Sequence, residues 1–404
     1  MRRLTVARAP ERGAIAIMVT VLLASGVLLG CAAMSVDVGN LSAERRELQN
    51  GADAAALSAA QDCAITVCPT ATSPSLTSLV GANASDGTSS ISRTNPALPA
   101  VCGVGTGSGL VSCPASGSGL GECPTPSGGL PSNYVRVYTQ TRLQNGSTIL
   151  PYYFAQTLAG GATGGTQQTC SAVAWGPLGQ FHTIMPITFS YCEWLAATGA
   201  TPPATTGTYV TAPSGPDPGY GGAGNPPWPA ASQERVVVLA GGSTPGCTTW
   251  NGHDAPGGFG WLSAPNCSVT TSTNGWVQTD PGNNEECDLT ALRGKVAFLP
   301  VYDCVMASGA QPTGAPPLTP ASACATGSGS NTWYHIAGFA AFYVSGWYLS
   351  GGSTANSLLS HNPPCSGGSR CVSGWFVKKL LSVQEMGPNT NPPGFGINVV
   401  QVVG

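Results

Sequence analysis

The chain has 404 residues, of which 42% are hydrophobic and only 8% charged, with 55 glycines, 34 prolines and 15 cysteines. A net charge of -3 with no basic stripe beyond the extreme N-terminus argues against a nucleic-acid binder. The hydrophobic share indicates a real core, and a charged fraction far below the roughly 25% of an ordinary soluble domain points to a loop-rich, uncharged body.

Residues 1–12 form a basic tail, with Arg2, Arg3, Arg8 and Arg12 against Glu11. From Gly13 to Val36 the sequence is apolar. At about 1.5 Å per residue such a run exceeds the roughly 30 Å of bilayer hydrocarbon. It reads as a transmembrane helix over 13–36. Arginines precede it, whereas the far side opens on Asp37 and has no basic residue before Arg45, so the positive-inside rule keeps the N-terminus in the cytoplasm. The bulk of the chain then lies outside an inner or cytoplasmic membrane crossed once. Three processing readings compete: a cleaved signal, a lipoprotein signal and an uncleaved anchor. The core is long for a cleaved signal. The run VLLGC ends on Cys31, which is the candidate lipid carrier. The uncleaved anchor, with membrane lipid as partner, is the favoured reading.

Residues 37–61 are rich in helix formers and prolong that helix outward. Gly26 and Gly30 in the membrane, and Gly51, Ala55 and Ala59 beyond it, repeat a small-x-x-x-small spacing that allows close helix approach. They are candidates for docking a partner helix. Asp37 is expected in the headgroup region, and Asp53 facing solvent or pairing with Arg46 or Gln49.

Beyond this helix, 62–132 is crowded with Gly, Ser, Thr and Pro and reads as disulfide-pinned loops. Setting Cys31 apart leaves an even number of cysteines. They form no Cys-x-x-Cys, and His182, His253, His335 and His361 lie scattered. Structural disulfides in an oxidising compartment are the natural reading, rather than zinc or redox chemistry. Cys63 with Cys68, and Cys365 with Cys371, are the sequence-close candidate pairs. Residues 133–404 form a β-rich domain with a loop excursion at about 198–233. Strand character is read in YVRVYTQTRL and ILPYYFAQTL, and continues through FHTIMPITFSYCEW. The clearest strands are ERVVVLAGG, GKVAFLPVYD, WYHIAGFAAFYVSGWYL and CVSGWFVKKLL, each rich in β-branched or aromatic residues. The fold class is α+β: a transmembrane helix extended by an extracytoplasmic helix, followed by a β-rich, disulfide-stapled, loop-rich domain.

RGAIAIMVTVLL followed by VDVGNLSAERRELQNGADAAALSAA resembles the N-terminal region of the Flp pilus-assembly TadE/TadG-like family over about residues 11–60. Arg12, Gly13, Asp37, Gly39, Arg46, Leu48, Gln49, Asn50 and Asp53 fall in register with its motif. KVAFLPVYDC, HIAGFAAFYVSGWY and SGWFVKK also resemble C-terminal parts of TadG-like proteins. The resemblance implies a membrane-anchored accessory component of tight-adherence pilus assembly or secretion, without enzymatic activity and with other pilus-assembly helices as partners. Two family features are missing. Five positions after Gly13 stands Met18, not the Glu of a prepilin-peptidase site, and no Asp-x-Ser-x-Ser adhesion motif is present. No nucleophile elbow, His-Glu-x-x-His or phosphate loop appears, and no cofactor or metal is expected. Trp228, Trp250, Trp261, Trp276 and Tyr220 lie in Gly/Pro-rich loops, where rings either bind a surface polymer or glycan or cap the core beneath. The alternative function is a free-standing cell-surface binding protein or lipoprotein that displays a disulfide-rich domain.

Overall fold

A computed structural model describes residues 12–24, 27–65, 67–105, 108–115, 119, 121–125, 129, 131–158, 163–183, 185–204, 207–210, 229–240, 244–247, 260–280, 287–318, 332–381 and 394–403. The chain opens with helices α1 (Arg12–Ala24), α2 (Val27–Ile65) and α3 (Pro74–Ala82). Next come β1 (Ser89–Ser90), β2 (Val101–Val104), β3 (Tyr134–Thr141), β4 (Leu150–Pro151), the short helix α4 (Ala155–Leu158), β5 (Gly164–Gly165), β6 (Gln168–Gly176), β7 (Gln180–Thr183) and β8 (Phe189–Ser190). Helix α5 (Tyr191–Thr198) leads to β9 (Arg235–Ala240), β10 (Val269–Ser272), β11 (Gly275–Gln278), β12 (Val296–Ala307), β13 (Thr332–Leu349), β14 (Thr354–Ala355), β15 (Arg370–Phe376), β16 (Lys379–Leu381) and β17 (Ile397–Val402).

Two larger sheets carry the body. The first runs β1-β3-β6-β17-β16, with β2 also paired to β3; its pairings are antiparallel except that of β16 with β17. The second runs β8-β12-β13-β15-β9, with β11 and β14 added to β13. Strand β13 spans 18 residues and is buried almost throughout. That is why WYHIAGFAAFYVSGWYL is apolar on both faces rather than alternating. Register shifts near Tyr302 and between Val344 and Gly346 let this long strand bend.

The first sheet shows how the layers stack. Side chains alternate along a strand, so Val135 and Val137 of β3 and Val173 and Trp175 of β6 join Val80 of α3 and the alanines of α2 in one cluster. On the opposite face Tyr138, Cys170 and Ala172 meet Cys102 and Cys123. In β17, Val400 belongs to the helix-side cluster while Ile397 and Val399 reach a core shared with Tyr334, Phe339 and Trp375 of the second sheet. Helices α2 and α3 are therefore one outer layer of the body. The β-rich part of the expected fold is present, and helices are few.

Six disulfides are described: Cys63–Cys68, Cys102–Cys113, Cys123–Cys170, Cys192–Cys247, Cys267–Cys287 and Cys365–Cys371. Cys304 is disulfide-bonded too. Cys31 is free and exposed.

Among the described residues no helix is long and apolar enough to cross a membrane. Helix α1 has 13 residues, roughly 20 Å at 1.5 Å per residue, and residues 25 and 26, which would continue the expected 13–36 span, are outside the described residues. Two expectations need correction. First, 62–132 is not all loop: Pro74–Ala82 is helical, with Pro at the start where a missing N–H costs nothing. Second, the strand-like run ending in SYCEW turns into helix α5, because Ser190 caps the Glu193 N–H and Gly199 at φ 68° closes the end.

Candidate functional site

The candidate site is the joint between α2 and the body. Helix α2 has 39 residues, nearly 60 Å at 1.5 Å per residue. Its first turns carry exposed apolar side chains, Met34 60%, Val36 47% and Val38 57% exposed. Its outer two thirds pack one face against the body. The side of α2 facing the sheet is made of small residues: Ala52, Ala55, Ala56, Ala59 and Ala60 are wholly buried. Gly51 lies so near α3 that a Cβ there would meet the Val80 Cα at 3.4 Å. Short side chains bring the helix backbone close enough for polar contact with the strands beneath. The Thr139 hydroxyl donates to the Leu48 carbonyl at 2.9 Å and shares a second hydrogen bond with Thr169 at 2.8 Å. Gln49 Nε2 donates to Asp53 Oδ1 at 2.9 Å and to the Cys170 carbonyl at 3.2 Å. On the α3 side, the Ser85 N–H donates to Glu47 at 2.8 Å.

Both ends of the packed part are tied. At the outer end the last carbonyls of a helix lack partners within it. Asn398 Nδ2 supplies one to Ala64 at 2.9 Å, and Lys378 Nζ another to Ile65 at 3.1 Å. The Cys63–Cys68 disulfide closes the turn that follows. At the inner end Asp37 is 4% exposed and accepts three backbone N–H bonds, from Tyr153 at 2.8 Å, Phe154 at 3.1 Å and Ala155 at 2.6 Å. Burial works against its charge, but the three donors together outweigh burial and hold the carboxyl below its usual range. A carboxylate facing the first N–H groups of a helical turn is favourable electrostatics. Half-buried Glu44 goes the other way: burial and the nearby Asp86 and Glu47 push it up, against a Thr141 hydrogen bond.

The sequence-derived candidates now have places. Gly51, Ala55 and Ala59 do not present a face to a partner helix. Their own α3 and first sheet already occupy it, which corrects that expectation. Gly26 lies outside the described residues, while Gly13, Gly30 and Gly39 have nothing within 4 Å of where a Cβ would stand. Leu48 is buried and Asn50 exposed. Arg12 begins α1. Asp53 pairs with Gln49. Asp37 is the larger surprise: its carboxylate binds backbone N–H groups more than a hundred residues away. Trp261 and Trp276 are 1% and 7% exposed, caps on the core and not binding rings. Trp228, Trp250 and Tyr220 are outside the described residues.

A buried polar pair in the second sheet, and a buried carboxyl on α5 beside it, had no signal in the sequence. His335 Nδ1 lies 2.6 Å from Asp303 Oδ1, with both side chains almost fully buried; burial raises the Asp303 carboxyl despite the pull of His335. The pair joins β12 to β13 beside the Trp276 ring, a closed core contact rather than an open site. Glu193 accepts from the Val238 N–H at 3.2 Å, and burial raises its carboxyl above the usual range. A cavity of about 360 Å³ lies elsewhere, among Arg45, Arg93, Glu122 and Gln168. Arg93 there is bound to Glu122 at 2.7 Å and lies 3.8 Å over the Tyr138 ring. Among the described residues no cluster of three or more His, Cys, Asp or Glu could hold a metal ion.

Residues 13–62 match the family model for the Flp pilus-assembly TadE/G-like family. The matched segment coincides with α1 and nearly all of α2. No curated protein matches the chain, and no solved structure does.

Proposed function

We propose that this protein is a membrane-anchored structural component of an Flp-type pilus assembly or secretion apparatus, and that α2 is the rigid strut holding its disulfide-rich body against the membrane. The carrying observation is the division of α2 at Asp37. Outward of it the helix packs against the body; inward of it, and along α1, large apolar side chains among the described ones stand exposed, including Ile15 66%, Ile17 67% and Met18 66%. Exposed apolar surface of that extent calls for a covering partner, and a bilayer suits a run flanked by arginines on its inner side. Structural disulfides support an extracytoplasmic body. In this reading the chain crosses an inner or cytoplasmic membrane once, has no catalytic role, and meets other pilus-assembly subunits as its partners.

The test is purification of the chain with mild detergent from cells that make the pilus, together with deletion of its gene. Recovery of the secretion ATPase or small pilins with it, and loss of surface pili on deletion, are expected; pili unchanged in number would refute the role. A second reading, a lipid-bearing surface protein, is favoured by one observation: Cys31 is free and exposed at the apolar end of α2. Lipid label present in the wild type and absent from Cys31→Ser supports it, and no label in the wild type removes it.

A further inference from the structure

We propose a second membrane contact: Ile149, Tyr153 and Phe154 form an apolar and aromatic foot that inserts into the interfacial layer of the same bilayer that holds the anchor. The inference rests on the membrane-anchor reading and adds to it a lipid-binding surface on the body itself.

Geometry supplies the placement. Asp37 is the residue that follows the apolar run, so an anchored helix puts it at the edge of the hydrocarbon. Its carboxylate is bound to the N–H groups of Tyr153, Phe154 and Ala155 at 2.8, 3.1 and 2.6 Å. Those bonds fix the backbone of the foot at the level where the apolar run ends. The hairpin of β4 and β5 underlies it, with Leu150 opposite Gly165 and Pro151 opposite Gly164. A Cβ at Gly165 would sit 3.8 Å from Leu41 of α2, so the hairpin leans on the strut itself.

Chemistry supplies the occupant. Tyr153 is 63% exposed, Phe154 45% and Ile149 49%. Each interfacial layer is roughly 5–7 Å deep beyond the hydrocarbon, within reach of rings anchored beside Asp37. Tyrosine is enriched at that depth because its ring is apolar and its hydroxyl wet. The exposed surface also runs on from Val36 and Val38, 47% and 57% exposed on the helix beside it. A charge at the hydrocarbon edge is costly unless its hydrogen bonds are made. Both oxygens of Asp37 accept from the foot's own backbone, so one contact both offsets that cost and sets the foot in place.

The test is lipid photocrosslinking in the full chain, reconstituted into vesicles of phosphatidylethanolamine and phosphatidylglycerol. p-Benzoyl-phenylalanine replaces, one position at a time, Ile17 in α1, Ile149 or Tyr153 in the foot, and Val67. Val67 is 73% exposed and follows the far end of α2, roughly 40 Å beyond Asp37. All four are exposed, so folding is not at stake. Lipid adducts at Ile17, Ile149 and Tyr153 in several-fold excess over Val67 are expected. Adduct at Ile17 with none at Ile149 and Tyr153 overturns the foot and leaves the anchor standing. Protein adducts in place of lipid at Tyr153, or equal lipid yield at Val67, overturn the foot as well. No adduct at Ile17 refutes the anchor, and the foot falls with it.

Discussion

Gly51 offers a sharp perturbation of the joint because the size of the residue there decides the sign of the effect. A Cβ at Gly51 would stand 3.4 Å from both the Cα and the carbonyl oxygen of Val80 and 3.6 Å from its Cγ1, ordinary contact distances. Alanine fits. Gly51→Ala therefore keeps the packing and gains helix propensity, about 0.8–1 kcal/mol in favour of folding. Leucine must place three more carbons between α2 and the α3 backbone, and overpacking of this kind costs about 1–3 kcal/mol. Gly39 is the control: nothing lies within 4 Å of its Cβ position, so Gly39→Ala and Gly39→Leu should both stabilise. Chemical unfolding of the full chain in detergent, with disulfides intact, reads these changes; in a heat melt each kcal/mol moves the midpoint of so large a chain by about 2 °C or less. Opposite signs at Gly51 are expected. If Gly51→Leu is as stable as Gly51→Ala, the contact between α2 and α3 is not as described.

Asp37→Asn should speed hydrogen exchange at the amides of Tyr153, Phe154 and Ala155, which mass spectrometry of the 149–158 region can follow. Because the folded pKa of Asp37 is depressed, the contribution of its bonds is complete above the ordinary value of 3.8 and is lost as pH falls through the folded value, so their protection should fall in acid. Glu193 has the opposite sign: its folded pKa is raised, so stability declines as pH climbs from the ordinary 4.5 through the folded value, and Glu193→Gln should flatten that decline in unfolding curves taken from about pH 4 to about pH 8. For the disulfides, loop-closure entropy gives about 2 kcal/mol for Cys63–Cys68 and about 4 for Cys123–Cys170, whose separations are 5 and 47 residues. Paired serine variants should reproduce that order in their unfolding midpoints.

The helical character of 37–61 and the strands within ERVVVLAGG, GKVAFLPVYD and CVSGWFVKKLL were legible because period, β-branching and flanking glycines are local signals. The direction of the α2 face was not. An Ala-rich stripe looks the same whether a membrane helix, another subunit or the chain's own sheet covers it, and the strands that cover Ala55 and Ala59 lie far along the sequence. Asp37 shows the same limit: a carboxylate after an apolar run has a local explanation, and its donors begin at Tyr153. Helix α5 was hidden because aromatic residues suit a strand as well as a buried helix; the clue was Ser190 with Glu193 three residues on, a capping box within an apolar run. The Asp303–His335 pair depends on the register of β12 against β13, which spacing alone does not fix.

If the outer part of α2 is a core element of the body, its amides must open only when the first sheet opens. Native-state hydrogen exchange of the full chain in detergent micelles measures this directly, by comparing residues 48–60 of α2 with β3 and β6. Protection of α2 equal to that of the two strands, lost together with theirs as denaturant is added, is the expected result. Exchange in α2 faster than in the strands by several orders of magnitude, as in a helix that only rests on the surface, would contradict the joint.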